Sequence, residues 1–221
     1  FQARQALVLD MGGPINVVAR AAPASDKFDA VVHGRAAHAG AHPEAGINAI
    51  AVAAQGIAAM PLGRIDDETT ANVGMIEGGS AVNVVPDRVA IRGEARSHDV
   101  DKLDAQIRAM RSALETAVAV NEGARLDLEI ARAYTSFRLD DEHPLLQRVG
   151  RALQAMGEGA PVLQAGGGGS DANILNARGI AAVPISTGME GVHTTDEHVA
   201  LEDMVRCAEL VLHALGMPNL A

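Results

Sequence analysis

The sequence predicts an α/β protein in which a ferredoxin-like βαββαβ unit interrupts a sheet covered by helices on both faces. Three observations lead there. Residues 25–135 follow the order strand, helix, strand, strand, helix, strand. The strands in that stretch alternate apolar and polar residues, while its helices carry apolar residues at three- and four-residue spacing. On either side, short apolar runs alternate with helical segments, the pattern of a sheet with helices on both faces.

Residues 6–22, "ALVLDMGGPINVVARAA", form two apolar runs around a Gly-Gly-Pro turn, which places Asp10 at the end of the first strand. "APASD" reads as a linker and "FDAVVHGRA" as a strand. A helix is predicted from Pro43 to Met60, with Ile47, Ile50, Ala54 and Ile57 on its apolar face and Pro43 in its first turn. "TTANVGMIEGG" and "DRVAIRGEARS" are strands, and the second turns Val89, Ile91, Gly93 and Ala95 one way and its charges the other. Asp99 caps a long helix carrying Leu103, Ile107, Met110 and Leu114, and "RLDLEIARAY" closes the unit. Beyond Phe137 come a helix near 143–157, a strand near 161–164, a helix over "ANILNAR", a buried strand "GIAAVPIS" and a last helix near 201–215. Two or three strands are few for such a sheet, so residues 1–22 are expected to supply another.

The 221 residues are 48% hydrophobic and 21% charged, enough to build a core, which the 2% aromatic content leaves to Ala, Val, Leu, Ile and Met. A net charge of −10 opposes a phosphate backbone, so no nucleic-acid partner is expected. One cysteine, Cys207, allows no internal disulfide and fits a reducing compartment. No signal peptide or membrane-length apolar run is evident, so a cytoplasmic protein away from membranes is expected. The chain begins abruptly at Phe1, which suggests that it is cut, processed or incomplete.

Four motifs could carry chemistry. "GVHTTDEH" follows a buried strand, where α/β enzymes place their ligands; His193 there is either a metal ligand or part of a capping cluster before the last helix. A nearby carboxylate could orient its ring. "GGGGSDAN" lacks the Lys-Ser/Thr ending of a phosphate loop, so it is either a turn capped by Ser170 or Asp171 or a site of close substrate approach. His38 and His42 lie four apart, but Pro43 argues against the helix that would let them share a metal, which leaves His38 a loop histidine that a ligand could reach. Asn83 sits in a turn between strands, and Arg96 on the outward face of the next strand.

Taken together, "LVLDMGGPI", "GRAAHAGAHPEAGINAI", "GGSAVNVVPDRVAIRGEARS", "GGGGSDANILNARGI" and "GVHTTDEH" resemble, in the same order, the co-catalytic di-zinc peptidases and amidohydrolases. That family includes peptidase T, carboxypeptidase G, aminoacylase and succinyl-diaminopimelate desuccinylase; the peptidase T-like branch is the most similar. The resemblance implies an α/β catalytic domain at 1–24 and 136–221, incomplete here, with a ferredoxin-like lid and dimerisation domain at 25–135. It implies that Asp10 binds one zinc and His193 the other. His38 matches the lid histidine that, in dimeric members, reaches the partner subunit's site to stabilise the developing oxyanion. Asn83 and Arg96 match lid residues that hold substrate, and Gly169, Ser170 and Asp171 the loop that helps bind it. The implied protein is a homodimeric metallopeptidase of short peptides or N-acyl amino acids. It uses zinc, with cobalt or manganese able to take similar ligands.

The His-x-Asp and Glu-Glu pairs that precede "LVLD" in complete members are absent, and the "DDE" runs at 66–68 and 140–142 lie in the wrong loops to replace them. Two of the family's five protein ligands are present, and no recognisable base. The expectation is therefore a part of a larger enzyme, inactive alone. Two alternatives stay open: a non-catalytic dimerisation or small-molecule-binding module that retains the lid, and a phosphate-binding enzyme built on "GGGGSD".

Overall fold

The computed structural model describes residues 2–217, and the chain divides into two compact units, the first on either side of the second, which is Ala24–Tyr134. In chain order the elements open with β1 (Gln5–Gly12), β2 (Val17–Ala22), β3 (Ala24–His33) and α1 (Ala49–Ala59). Next come β4 (Gly63–Arg64), β5 (Thr69–Gly78), β6 (Arg88–Ser97), α2 (Val100–Ala119) and β7 (Arg125–Tyr134). The chain ends with β8 (Phe137–Arg138), α3 (Pro144–Ala155), β9 (Val162–Ala165), α4 (Asp171–Ala177), β10 (Ala181–Met189) and α5 (Leu201–Ala214). No helix among the described residues is long and apolar enough to cross a membrane.

The first unit is the α/β part. Its sheet runs β1-β10-β2-β8, with β9 also paired to β2, and β1 lies parallel to β10 from Gln5↔Ala181 to Leu9↔Ile185. Alternation along β10 feeds two cores. Val183 and Ile185 pack with Leu145, Leu146, Val149 and Leu153 of α3 and Leu210 of α5. Ala182 packs with Ala172 of α4 and Phe137. The sheet is thus covered on both faces, as its apolar strands require.

The second unit is the expected ferredoxin-like sandwich. Its antiparallel sheet runs β4-β5-β6-β3-β7, the crossed order that two interleaved βαβ units produce. Both helices pack on its core: Val52 and Ala53 of α1 and Leu103, Met110 and Leu114 of α2 join Phe28, Val32, Val89 and Ile91 of the sheet. Asp99 caps α2, its carboxylate accepting from the amides of Asp101 and Lys102.

Three local expectations are corrected. "APASD" is not a linker, because β3 already begins at Ala24 and its Asp26 is buried against Arg132. The helix does not begin at Pro43: a 3-10 turn occupies Pro43–Ala45, and α1 starts after Asn48, whose side chain accepts from the Ala51 amide. Nor does α1 bury Ile50 and Ala54. It buries Ala49, Val52, Ala53 and Gly56, because the face that meets α2 is chosen by closeness. A Cβ on Gly56 would lie 2.8 Å from a Leu114 methyl, so the smallest residues go inward and Ile50 stays 42% exposed.

Candidate functional site

Within the first unit, β1 and β10 run parallel, so their carboxyl ends leave the sheet side by side, where ligands of α/β folds gather. The pairing is irregular between Leu9 and Met11, and Asp10, between them, has no partner on β10. Beyond it the strands are laced by polar groups. The Gly13 amide donates to Met189 O (3.0 Å), the Thr187 hydroxyl to Met11 O (3.2 Å), and the buried Ser186 hydroxyl to Gly13 O. These bonds fix the backbone just beyond Asp10, and the pairing of β1 with β10 up to Leu9 fixes it before.

The chain after β10 forms a closed loop. Glu190 and His198 bridge its ends, each amide donating to the other's carbonyl (2.9 and 3.1 Å). Inside it the Thr194 hydroxyl donates to Gly191 O at 2.6 Å. His193 lies at the tip with φ of 66°, a left-handed conformation costly for a residue with a Cβ. The Glu197 carboxylate accepts from the His193 backbone amide at 2.7 Å rather than from the ring.

The glycine-rich segment supplies a third wall. The Gly166 amide donates to Ala21 O (2.8 Å), and Ser170 is the N-cap of α4, its hydroxyl accepting from the Ala172 amide (3.2 Å). Asn173 completes a capping box. Its Oδ1 accepts from the Ser170 amide (3.0 Å), while its Nδ2 donates to Pro23 O (3.0 Å) and Thr135 O (2.8 Å). Asn173 is fully buried, so these three bonds hold cleft-lining Ser170 against the body of the unit.

Asp10, Gly169, Ser170, His193 and Glu197 line one cleft of about 540 Å³. Asp171, exposed at the start of α4, is not among its lining residues. Carboxylate and imidazole are ordinary zinc ligands, and Asp10, His193 and Glu197 bring both to this cleft. Among the described residues, however, no cluster of three or more His, Cys, Asp or Glu could hold a metal ion. Asp10 and His193 fit as part of a ligand set and not as a whole one.

The second unit carries the other predicted residues. The Ala39 amide donates to Asn83 O (3.0 Å) and the Val85 amide to Ala37 O (2.9 Å), so a short bridge brings the loop of His38 against the turn of Asn83. Both residues are exposed. Two backbone amides, of Gly40 (3.2 Å) and Ala41 (3.1 Å), donate to His38 Nδ1, which puts the neutral ring's proton on Nε2. His38 thus presents a fixed N–H donor.

Arg96 lies apart from this pair, at the far end of β6. Eight strand steps from Arg88 to Arg96 span roughly 27 Å at about 3.4 Å each. Burial opposes the Arg96 charge, but the Glu94 carboxylate at 2.8 Å, with Tyr134 nearby, outweighs it and raises the pKa. The Arg96 Nε is buried without a hydrogen-bond partner among the described residues, a donor left over for an acceptor. Sequence reasoning passed over Glu197 and Asn173. The Ser170-x-x-Asn173 spacing was a readable signal for the second; nothing local marks Glu197 except its place four residues after His193.

Residues 24–122 match the family described as Peptidase dimerisation domain. The chain is 42% identical over 204 residues to the Uncharacterized protein YqjE of Bacillus subtilis (strain 168), an overlap of 92% of this chain and 54% of that protein. Among solved structures it is similar to the aminopeptidase PepT from Bacillus cereus, at 41% identity and a TM-score of 0.86. It is likewise similar to a tripeptidase from Staphylococcus aureus, at 31% identity and a TM-score of 0.89. Each of these two matches covers 97% of this chain and 57% of the other. The chain therefore spans just over half the length of these relatives.

Proposed function

The chain belongs to the peptidase and amidohydrolase family that carries this dimerisation domain, and from that premise we propose that it is part of a zinc-dependent hydrolase of amide bonds in short peptides or N-acyl amino acids. The observation that carries the reading is the convergence of Asp10 and His193 on one cleft at the carboxyl ends of parallel strands β1 and β10. Asp10 and His193 would each hold one of two zinc ions; bound there, the metals would activate water and polarise the scissile carbonyl. The glycine-rich wall at Gly169 and Ser170 lets a substrate backbone approach closely, and Asp171 borders it.

His38 is the donor to the developing oxyanion, and its Nε2–H suits that task because Nδ1 is already occupied by two amides. Asn83, beside it in the turn before β6, and Arg96, about 27 Å from Arg88 at the start of that strand, hold substrate. That spacing is too long for one small substrate to touch both ends within one copy. It supports a dimer in which His38 and Asn83 serve the second copy's site. The 24–134 unit is then the lid and dimerisation domain. Strand β5 is the surface offered: β4 pairs only with Thr70 and Ala71, leaving the outer edge beyond them unpaired among the described residues, with Met75 and Ile76 more than half exposed. With two ligands in the cleft, this chain alone is expected to be inactive.

The test uses the product of the entire reading frame. Hydrolysis of di- and tripeptides should be lost on chelation and restored by zinc or cobalt. Asp10→Ala and His193→Ala should each lower both bound metal and hydrolysis at least 100-fold with the fold intact. Hydrolysis indifferent to chelator and to both substitutions would overturn the proposal. A stable dimer with neither metal nor hydrolysis would instead identify a non-catalytic module.

A further inference from the structure

We propose that Glu197 is a positioning residue for His193, and that its carboxylate acts on the backbone rather than on the ring. The proposal rests on the reading of His193 as a metal ligand. Three observations carry it. The His193 amide donates to Glu197 Oε2 at 2.7 Å, the length of a charge-assisted bond. His193 is the sole non-glycine residue with positive φ among the described residues, so its backbone occupies a conformation that the chain would leave if nothing held it. Both side chains line the same cleft, in a loop whose ends are already closed by the Glu190–His198 bridge.

The physical consequence is specific. Closing the loop ends limits where residue 193 can travel, but it does not set its φ and ψ. Relaxation of His193 to an ordinary extended or right-handed backbone would swing its Cβ by ångströms and carry the imidazole out of the cleft wall. The Glu197 carboxylate opposes this by bonding an amide that points toward it in the left-handed state. It also leaves the imidazole nitrogens free for a ligand, which a carboxylate bonded to the ring would not. Outer partners of this kind typically tune metal affinity about 10–100-fold.

Three substitutions at two positions separate this role from its neighbours. In the full-length protein, zinc affinity is measured by competition with a chelating dye, the cobalt form by its visible absorption, and the His193 amide by hydrogen exchange of the metal-free protein. Glu197→Ala should weaken zinc binding about 10–100-fold, alter the cobalt spectrum and speed exchange of the His193 amide. Glu197→Gln keeps an acceptor without the charge and should restore affinity to within a few-fold of wild type. His193→Ala is the reference: if it leaves zinc affinity unchanged, the ligand assignment itself fails. If His193→Ala weakens binding and Glu197→Ala does not, the positioning role is overturned while the ligand assignment stands. A Glu197→Gln protein as weak as Glu197→Ala overturns it too, because charge and not the amide bond would then be what matters.

Discussion

Replacing Asn173 tests whether one buried amide holds the cleft wall together. Its side chain makes three bonds: one accepted from the Ser170 amide and two donated, to Pro23 O and Thr135 O. Asn173→Ala leaves one amide and two carbonyls without that partner. A buried polar group stripped of its partner costs about 1–3 kcal/mol. Water will re-enter the partly buried positions, so the lower value applies to each, and a total loss of about 3–4 kcal/mol is expected. Asn173→Asp is the sharper probe. It keeps the acceptor for Ser170 but sets a carboxylate oxygen against two carbonyl oxygens, so burial and repulsion raise its pKa. A folded pKa above the unfolded value makes the neutral acid the stabilising form, so the variant should be weakest at neutral pH and regain stability as pH falls. Urea denaturation followed by circular dichroism at pH 5 and 7.5 reads both effects. An Asn173→Ala loss below about 1 kcal/mol, or an Asn173→Asp protein as stable as wild type at pH 7.5, would refute the reasoning.

Other perturbations probe the second unit and the dimer. Arg132 holds buried Asp26 through Nε (2.6 Å) and exposed Asp104 through Nη2 (2.5 Å). Arg132→Met should cost about 2–3 kcal/mol in denaturant, because a buried carboxylate loses its partner; Asp104→Ala, losing the exposed arm, should cost under about 1 kcal/mol. Asp66 accepts from the Glu68 and Thr69 amides at 2.8 Å and faces Lys102. The Glu68 amide first, then Lys102 and Thr69, outweigh its partial desolvation and lower its pKa to about 2 from 3.8. Its contribution is therefore full above pH 4 and lost as pH falls toward 2, and Asp66→Asn should flatten the melting-temperature profile across that window. On the free edge of β5, Ile76→Lys should weaken self-association at least tenfold in analytical ultracentrifugation without lowering the melting temperature of the monomer.

Much of the fold was legible because it rests on local pattern. Alternation marked β6 and β7, and helical spacing with Asp99 as cap marked α2. Where the sequence misled, the cause was tertiary. Nothing local distinguishes the Ile50 face of α1 from the Gly56 face, since α2 and Leu114, some sixty residues away, make the choice. "APASD" looked like a linker because its small and polar residues lack a strand's apolar signal, yet Ala24 to Asp26 pair with β6 and β7. At the site, the ordered motifs pointed to Asp10 and His193, which the structure brings to one cleft. They could not reveal that Glu197 bonds the His193 backbone, or that the loop of His38 meets the chain just before β6 while Arg96 lies near the other end of β6, because neither fact follows from spacing along the chain.

The two passages between the units lie close together in each. In the first unit, Pro23 O and Thr135 O share one amide nitrogen of Asn173; in the second, Ser25 pairs directly with Tyr134. An inserted domain whose ends are neighbours imposes almost no loop-closure penalty on its host. The Ala24–Tyr134 unit is therefore a cassette. A host shortened to join Pro23 to Thr135 by two or three residues should keep its own sheet, and the excised unit should fold from its own ends. Divergence within such an architecture can then proceed by altering or exchanging the cassette while the cleft stays intact.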